Sequence, residues 1–242
     1  MSKTAGIVIV GNEVLSGKTQ DTNSHFFCTE LRKLGVEVQR ISTIQDEIAT
    51  IGREVADFSK RFDFVFTSGG VGPTHDDVTI DGIAYGFGVK VVRHPDIERR
   101  MYQRLGNDVN DARLRMANVP EGATLLATEA LFAPVVNYRN VYIFPGIPKI
   151  LQERFHAIKE RFREAPYFLK NVYLKYGEGV IAAMLNEVLA KFPDLLLGSY
   201  PVLDLPEYKV KVTLESKDPA YLDSALQSLL ASLPDGAVHR IE

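Results

Sequence analysis

The 242-residue chain has little of what marks several protein classes. Cys28 is the only cysteine, so a disulfide scaffold, a thiolate cluster and a cysteine-type structural zinc site are excluded. No apolar run approaches the roughly 20 residues of a membrane-spanning helix, and no membrane partner is expected. The stretch Ala5–Val10 is too short for the core of a signal peptide and runs straight into Gly11-Asn12-Glu13, so a cytoplasmic protein is expected. Lys and Arg number 28 against 31 Asp and Glu, a net charge of −3 without a basic stripe, which argues against nucleic acid as a partner. The five histidines never stand at helical metal-binding spacing, and no nucleophile-elbow motif is present. Cys28 falls within an amphipathic stretch and reads as a packed small hydrophobe rather than a nucleophile. What is present, 45% hydrophobic and 24% charged residues, is the make-up of an ordinary globular protein.

Short apolar runs alternate with amphipathic stretches, the pattern of βαβ units and a mainly parallel sheet. Gly6–Val10 reads as a strand buried on both faces. A helix follows from Asp21-Thr22-Asn23-Ser24 through Phe27, Leu31 and Leu34, with Gly35 as its stop. Val36–Ile41 is the second strand; Ile48, Ile51, Val55 and Phe58 mark a helix with one buried face; Asp63–Thr67 is the third strand. A helix from Thr79 and a strand at Val89–Arg93 come next. The polar, arginine-rich stretch Pro95–Asn118 reads as helices outside the main sheet. Strands near Thr124–Ala127 and Asn140–Phe144 precede a long amphipathic helix with Pro148 in its first turn. From about Asn171 the order becomes βαββαβ, a small ferredoxin-like unit. The expected fold is α/β with a mainly parallel sheet over residues 1–168, a phosphate- and nucleotide-binding domain, and a small α+β unit over 169–242, with Glu164-Ala165-Pro166 as linker.

Four strand-to-helix junctions carry polar residues that would meet on one rim of a doubly wound sheet. Gly11-Asn-Glu-Val-Leu-Ser-Gly17-Lys18-Thr19 looks like a P-loop but has five residues between its first glycine and Gly17-Lys18, where a P-loop has four. Glu13 still lies just beyond a strand's carboxyl end, where open α/β sheets bind ligands. Ser68-Gly69-Gly70-Val71-Gly72-Pro73-Thr74-His75-Asp76-Asp77 leaves a buried strand and enters a helix. Its glycines let the backbone approach a ligand, and its N–H groups together with the helix N-terminus can hold a phosphate. Asp76 and Asp77 would repel that phosphate unless a cation bridges them; magnesium suits, being held by one or two carboxylates plus phosphate oxygens. Alternatively the loop is a turn in which one of these acids caps the helix. Pro145-Gly146-Ile147-Pro148 forms a rigid turn able to abut a ligand, and Asp46 either supplies a second metal carboxylate or caps a helix with Glu47.

Taken together these loops resemble the molybdopterin-binding-domain superfamily, through Ser68–Thr79 as its glycine-acid loop and Pro145–Pro148 as its later turn. Gly11–Asn23 resembles the competence/damage-inducible protein A branch. Thr19–Asn23, Gly72–Thr79, Arg139–Pro148 and Leu197–Pro201 most resemble the N-terminal domain of eukaryotic-type FAD synthase, a similarity spanning nearly the whole chain. Asn12 departs from that domain, which tends to have an acid there. The resemblance implies a three-layer fold and nucleotide pyrophosphate chemistry: hydrolysis of FAD to FMN and AMP, or of ADP-ribose, with a divalent metal (magnesium, manganese or cobalt). It also implies Asp77 and Asp46 as metal carboxylates, Gly69, Gly70, Gly72 and Thr74 as the phosphate loop, Glu13 as the acid after the first strand, and a homo-oligomer, dimer or trimer. FAD synthesis is not expected of these residues, which contain no synthase domain. The full expected ligand surface is Ser68, Gly69, Gly70, Gly72, Pro73, Thr74, Pro145, Gly146 and Pro148, with Asp76 and Glu13 both open as general base. Adenylylation of molybdopterin, or nucleotide binding without turnover, are the alternative functions.

Overall fold

The computed structural model describes residues 2–127, 129, 131, 133–203 and 207–242, and the chain divides into two compact units, 1–164 and 165–242. The division falls inside the Glu164-Ala165-Pro166 segment, four residues before the boundary expected after 168.

The first unit begins with β1 (Thr4–Val10), the single turn α1 (Asn12–Leu15), α2 (Asn23–Lys33), β2 (Glu37–Ile44), α3 (Ile48–Arg61), β3 (Phe64–Ser68) and α4 (Thr79–Phe87). It continues through β4 (Val91–Arg93), α5 (Pro95–Leu105), α6 (Asp111–Arg115) and β5 (Asn118–Pro120). Then come β6 (Thr124–Leu126), β7 (Val135–Tyr138), β8 (Val141–Phe144) and α7 (Pro148–Ile158). Six strands form one sheet in the order β2-β1-β3-β8-β7-β6, in which β2, β1, β3 and β8 run parallel, β7 is antiparallel to β8, and β6 is antiparallel to β7. β4 and β5 pair separately as a two-stranded antiparallel ladder.

Alternate residues of β1 feed two cores, so the strand is buried on both faces as its unbroken apolar run requires. Ile7 and Ile9 pack with Phe27 and Leu31 of α2 and Leu151 and Phe155 of α7, while Val8 and Val10 pack with Ile51, Val55 and Phe58 of α3 and Ile83 of α4. The result is three layers. The first core is rich in rings: Phe66 meets Phe27 at 5.2 Å and Phe162 at 5.0 Å between centroids. On the other face α3 and α4 touch backbone to backbone, and a Cβ on Gly86 would lie 2.2 Å from the Gly52 carbonyl oxygen. That close approach sets where α4, and the loop before it, can sit.

Several local expectations change. Ile48 is 40% exposed rather than buried, because α3 turns its face from Ile51 onward to the sheet. β2 runs to Ile44, three residues beyond the expected end, since its whole length pairs with β1. β5 and β7 have no counterpart in the sequence reading. β7 and β8 form a hairpin whose turn contains Arg139 at φ +54, a left-handed conformation in a residue that carries no turn signal. The Arg139 guanidinium lies 4.9 Å from the Phe87 ring centroid and 5.5 Å from that of Tyr138, contacts that favour this backbone.

The second unit consists of β9 (Phe168–Leu174), α8 (Glu178–Lys191), β10 (Leu196–Pro201), β11 (Val210–Ser216), α9 (Pro219–Ser232) and β12 (Val238–Ile241). Its strands lie antiparallel in the order β10-β11-β9-β12, the split βαβ arrangement expected from the element order. Val172, Leu174, Val210, Val212 and Leu214 form its core with Ile181, Leu185 and Val188 of α8 and Leu222, Ala225, Leu226 and Leu229 of α9.

Candidate functional site

The chain passes from β1 to β2 on one side and then returns to β3 on the other side of β1, so a topological switch point lies between β1 and β3. The loops leaving the carboxyl ends of β1, β2, β3 and β8 converge there through backbone contacts. Gly11 N–H donates to the Ile44 carbonyl (3.1 Å), and Gly69 N–H donates to that of Phe144 (3.2 Å). Gly69 has φ +105, and a Cβ there would lie 2.1 Å from the Val10 carbonyl oxygen, so no other residue fits. Asn23, buried at the start of α2, closes the group: its Nδ2 donates to Ser68 Oγ (3.0 Å) and to the Gly146 carbonyl (2.7 Å), joining the β3 and β8 loops.

The glycine loop then folds back on itself. Thr79 N–H donates to the Gly70 carbonyl (2.9 Å), and Thr79 Oγ1 donates to that of Gly69 (2.8 Å). The first amide of α4 is therefore spent within the loop and does not join the phosphate-binding donors as expected. The N–H groups of Gly70, Val71 and Gly72 have no acceptor among the described residues. Three consecutive free amides, two of them on residues that follow or adopt positive φ, form a concave donor surface suited to an anion. Farther along, Thr74 N–H donates to Asp77 Oδ2 (2.8 Å), and the Thr74 hydroxyl donates to the same oxygen. Asp77 thus holds the Thr74 turn and is not the helix cap; Val78 occupies the cap position, without a side-chain hydrogen bond. Its second oxygen keeps its acceptor capacity. Arg115 Nη1 donates to the Thr74 carbonyl (3.1 Å), tying α6 to the same loop.

These parts border a cavity of about 970 Å³ in the first unit. Gly69–Pro73, Asp77, Glu13, Pro145, Gly146 and Ile147 line it, with Ile97 and Met101 of α5, Met116 and Leu131 adding apolar surface. Five arginines also line it: Arg100, Arg104, Arg113, Arg115 and Arg154. The composition of Pro95–Asn118 signals most of these, but nothing in the sequence says that the segment folds over the switch point. The volume is within the range of nucleotide-sized ligand sites.

Residues 6–164 match the family described as a probable molybdopterin binding domain. The chain belongs to the molybdopterin-binding-domain family. Residues 166–242 match the middle domain of FAD synthase. A probable FAD synthase of Caenorhabditis elegans is 35% identical over 258 residues, which cover 94% of this chain and 49% of that protein. The chain thus spans about half the length of the FAD synthase relatives it matches. A protein of Archaeoglobus fulgidus is 35% identical over 231 residues, with 95% and 97% of the two chains covered. Among solved structures, that of the protein CinA, of unknown function, from Thermoplasma acidophilum matches with a TM-score of 0.61 and 30% identity. That match covers 67% of this chain and all of the other.

Within this molybdopterin-binding domain the expected site residues separate into two groups. Glu13, Gly69, Gly70, Gly72, Pro73, Asp77, Pro145 and Gly146 face the cavity together. Ser68, Thr74, Asp76, Pro148 and Asp46 are not among its lining residues. Ser68 is buried, and its Oγ donates to the Pro145 carbonyl (3.3 Å), whereas Thr74 spends its donors on Asp77. Pro148 is the first residue of α7. Asp76 is exposed, with its Oδ1 4.0 Å from His75 Nδ1. Asp46 Oδ2 accepts from Asn12 N–H (2.7 Å), which fixes the residue just before Glu13. The Gly11–Lys18 segment does not form a P-loop, because α1 begins at Asn12. No cluster of three metal-ligating side chains occurs among the described residues. A site built on Asp77 and phosphate oxygens, with Glu13 facing the same space, fits magnesium, which needs only one or two carboxylates.

Proposed function

We propose that this chain is a divalent-metal-dependent hydrolase that cleaves the pyrophosphate of FAD, to FMN and AMP, or of ADP-ribose. The observation that carries this reading is the meeting of Glu13 and Asp77 with the free amides of Gly70, Val71 and Gly72 at one cavity. A nucleotide substrate is supported by relatives named probable FAD synthase along most of the chain, and by the match of residues 166–242 to a FAD synthase domain.

In this reading the three amides bind one phosphoryl group and oppose the charge that grows on its oxygens, at no cost of reorganisation because the loop is held by Thr79 and Asn23. Asp77 is the metal carboxylate, oriented by its bonds from Thr74. A bound cation supplies charge neutralisation on the phosphates and a more acidic water. Glu13 faces the same space and takes the proton of the attacking water on its carboxylate, a role for which Asp76, which does not line the cavity, is poorly placed. Asp46 is a positioning residue, acting through the Asn12 amide.

The test uses metal-stripped protein with FAD or ADP-ribose, magnesium, manganese or cobalt added back, and chromatography of the products. AMP with FMN or with ribose 5-phosphate, formed only when metal is present, is the expected result. Both substrates intact under all three metals would overturn the reading, and adenylylated pterin formed from ATP would replace it with adenylyl transfer.

A further inference from the structure

The cavity holds cationic groups beyond those that the proposed hydrolysis uses. Two of its other arginines are committed to the fold, Arg113 Nη1 to the Asp108 carbonyl and Arg115 Nη1 to that of Thr74. Arg100 and Arg154 differ from them. Arg100 Nη1 donates to the Leu131 carbonyl (3.2 Å), but its Nε–H is fully buried and has no acceptor among the described residues. Arg154, in the second turn of α7, lines the cavity and makes no hydrogen bond or ion pair with any described residue. Burial pulls its guanidinium below the usual arginine pKa, and adjacent Glu153 only partly opposes this.

A guanidinium offers five N–H donors, and one that lines a cavity without a partner for all of them is left incompletely satisfied. An anion in the cavity pairs with the N–H groups of these side chains that face it, because planar N–H forks match phosphate oxygens and hydrogen bonds between ions are the strong ones. We infer that Arg100 and Arg154 form a second anion subsite in this cavity, which takes one phosphoryl group of a diphosphate while the amides of Gly70–Gly72 take the other. The inference rests on the reading of that loop as a phosphate cradle. It assigns selection of two-phosphate over one-phosphate ligands to arginines on α5 and α7, away from the glycine loop.

Binding, not turnover, tests it. The full chain in EDTA is titrated by calorimetry with inorganic phosphate and, separately, pyrophosphate, so that the result stands whether or not the protein hydrolyses a dinucleotide. Wild type binds pyrophosphate at least about tenfold more tightly than phosphate, the scale of one added hydrogen bond between ions. Arg154→Met keeps the apolar stem, removes an unpaired charge, and so leaves the melting temperature unchanged or raised. It loses most of the preference for pyrophosphate, while phosphate affinity stays within about twofold. Arg154→Lys, which keeps the charge, recovers part of the loss. Equal affinity of wild type for the two anions, an unaltered preference in Arg154→Met, or a parallel loss for both anions would each overturn the subsite. Loss of FAD and ADP-ribose hydrolysis alone would leave it in place.

Discussion

β1 and β11 are both seven-residue strands rich in valine and isoleucine or leucine, yet six consecutive residues of β1 are buried, whereas burial in β11 alternates at every position. The first lies inside a parallel sheet sandwiched between α2/α7 and α3/α4; the second places Val210, Val212 and Leu214 in a core formed with α8 and α9 on one face. The difference has a functional side. In the parallel unit every strand of the β2-β1-β3-β8 set points the same way, so four loops emerge at one rim and can share a ligand. In the antiparallel unit successive neighbours point in opposite directions and their ends are divided between two rims. Convergence of Glu13, Gly69–Pro73, Asp77 and Gly146 on one cavity is a product of strand direction as much as of residue type.

If the chemistry belongs to the rim of the parallel unit, the largest effect comes from Asp77→Ala. On the proposed function it lowers kcat for FAD or ADP-ribose hydrolysis by about a hundredfold or more, while circular dichroism shows an intact fold. Near-normal turnover would remove Asp77 from the chemistry. Next come substitutions that probe the two-sided core. Ile7→Ala and Val8→Ala lie on opposite faces of β1 and both destabilise, by about 2–5 and 1.5–3 kcal/mol in urea unfolding. In β11 the corresponding pair behaves unequally: Val212→Ala resembles Val8→Ala, but Thr213→Ala costs less than about 0.5 kcal/mol. Equal costs at Val212 and Thr213 would erase the contrast between the units.

The smallest effect concerns how the amino end of the parallel sheet is fastened. Asp63 accepts from Lys3 Nζ (2.7 Å), Thr4 N–H (2.9 Å) and Thr4 Oγ1 (3.1 Å), clamping the start of β1 beside β3. The Lys3 hydrogen bond first, then the Thr4 amide, hold the Asp63 carboxyl below the usual carboxylate range. A depressed carboxyl stabilises fully above its unfolded pKa of about 3.9, and the contribution is lost as pH falls through the lower folded value. Asp63→Asn therefore lowers the melting temperature by a few degrees at pH 7, and the gap to wild type narrows below about pH 4. A gap independent of pH would show that shape rather than charge makes the clamp.

Much of this architecture is legible in the order of residues, because burial imposes a period. Unbroken apolar runs such as Gly6–Val10 mark strands covered on both faces, and spacings such as Ile51, Val55 and Phe58 mark helices with one buried stripe. The βαββαβ order of the second unit is legible for the same reason. β7 is not, since its hairpin turns at Arg139 and not at glycine or asparagine-glycine, and the contacts that favour this come from Phe87, distant in sequence. The glycine loop is legible as a backbone that can approach a ligand, but not that Thr79 consumes the helix amide or that Thr74 faces Asp77 instead of a phosphate. Asn23 stands in the sequence only at the start of a helix, and folding alone brings its amide to Ser68 and Gly146.

Local composition by itself determined the two units, the parallel character of the first and the four junctions at which ligand-binding residues could gather. Tertiary structure alone decided which of those residues share a space. Glu13 and Asp77 face one cavity while Asp46 is turned to the Asn12 amide, and arginines read as part of a peripheral helical segment line the same walls. The reason is physical: periodicity records which side of an element is buried, a property of neighbours three or four residues apart. Where a side chain's donors and acceptors are spent depends on partners tens of residues away, as with Asn12 and Asp46 or Asn23 and Gly146.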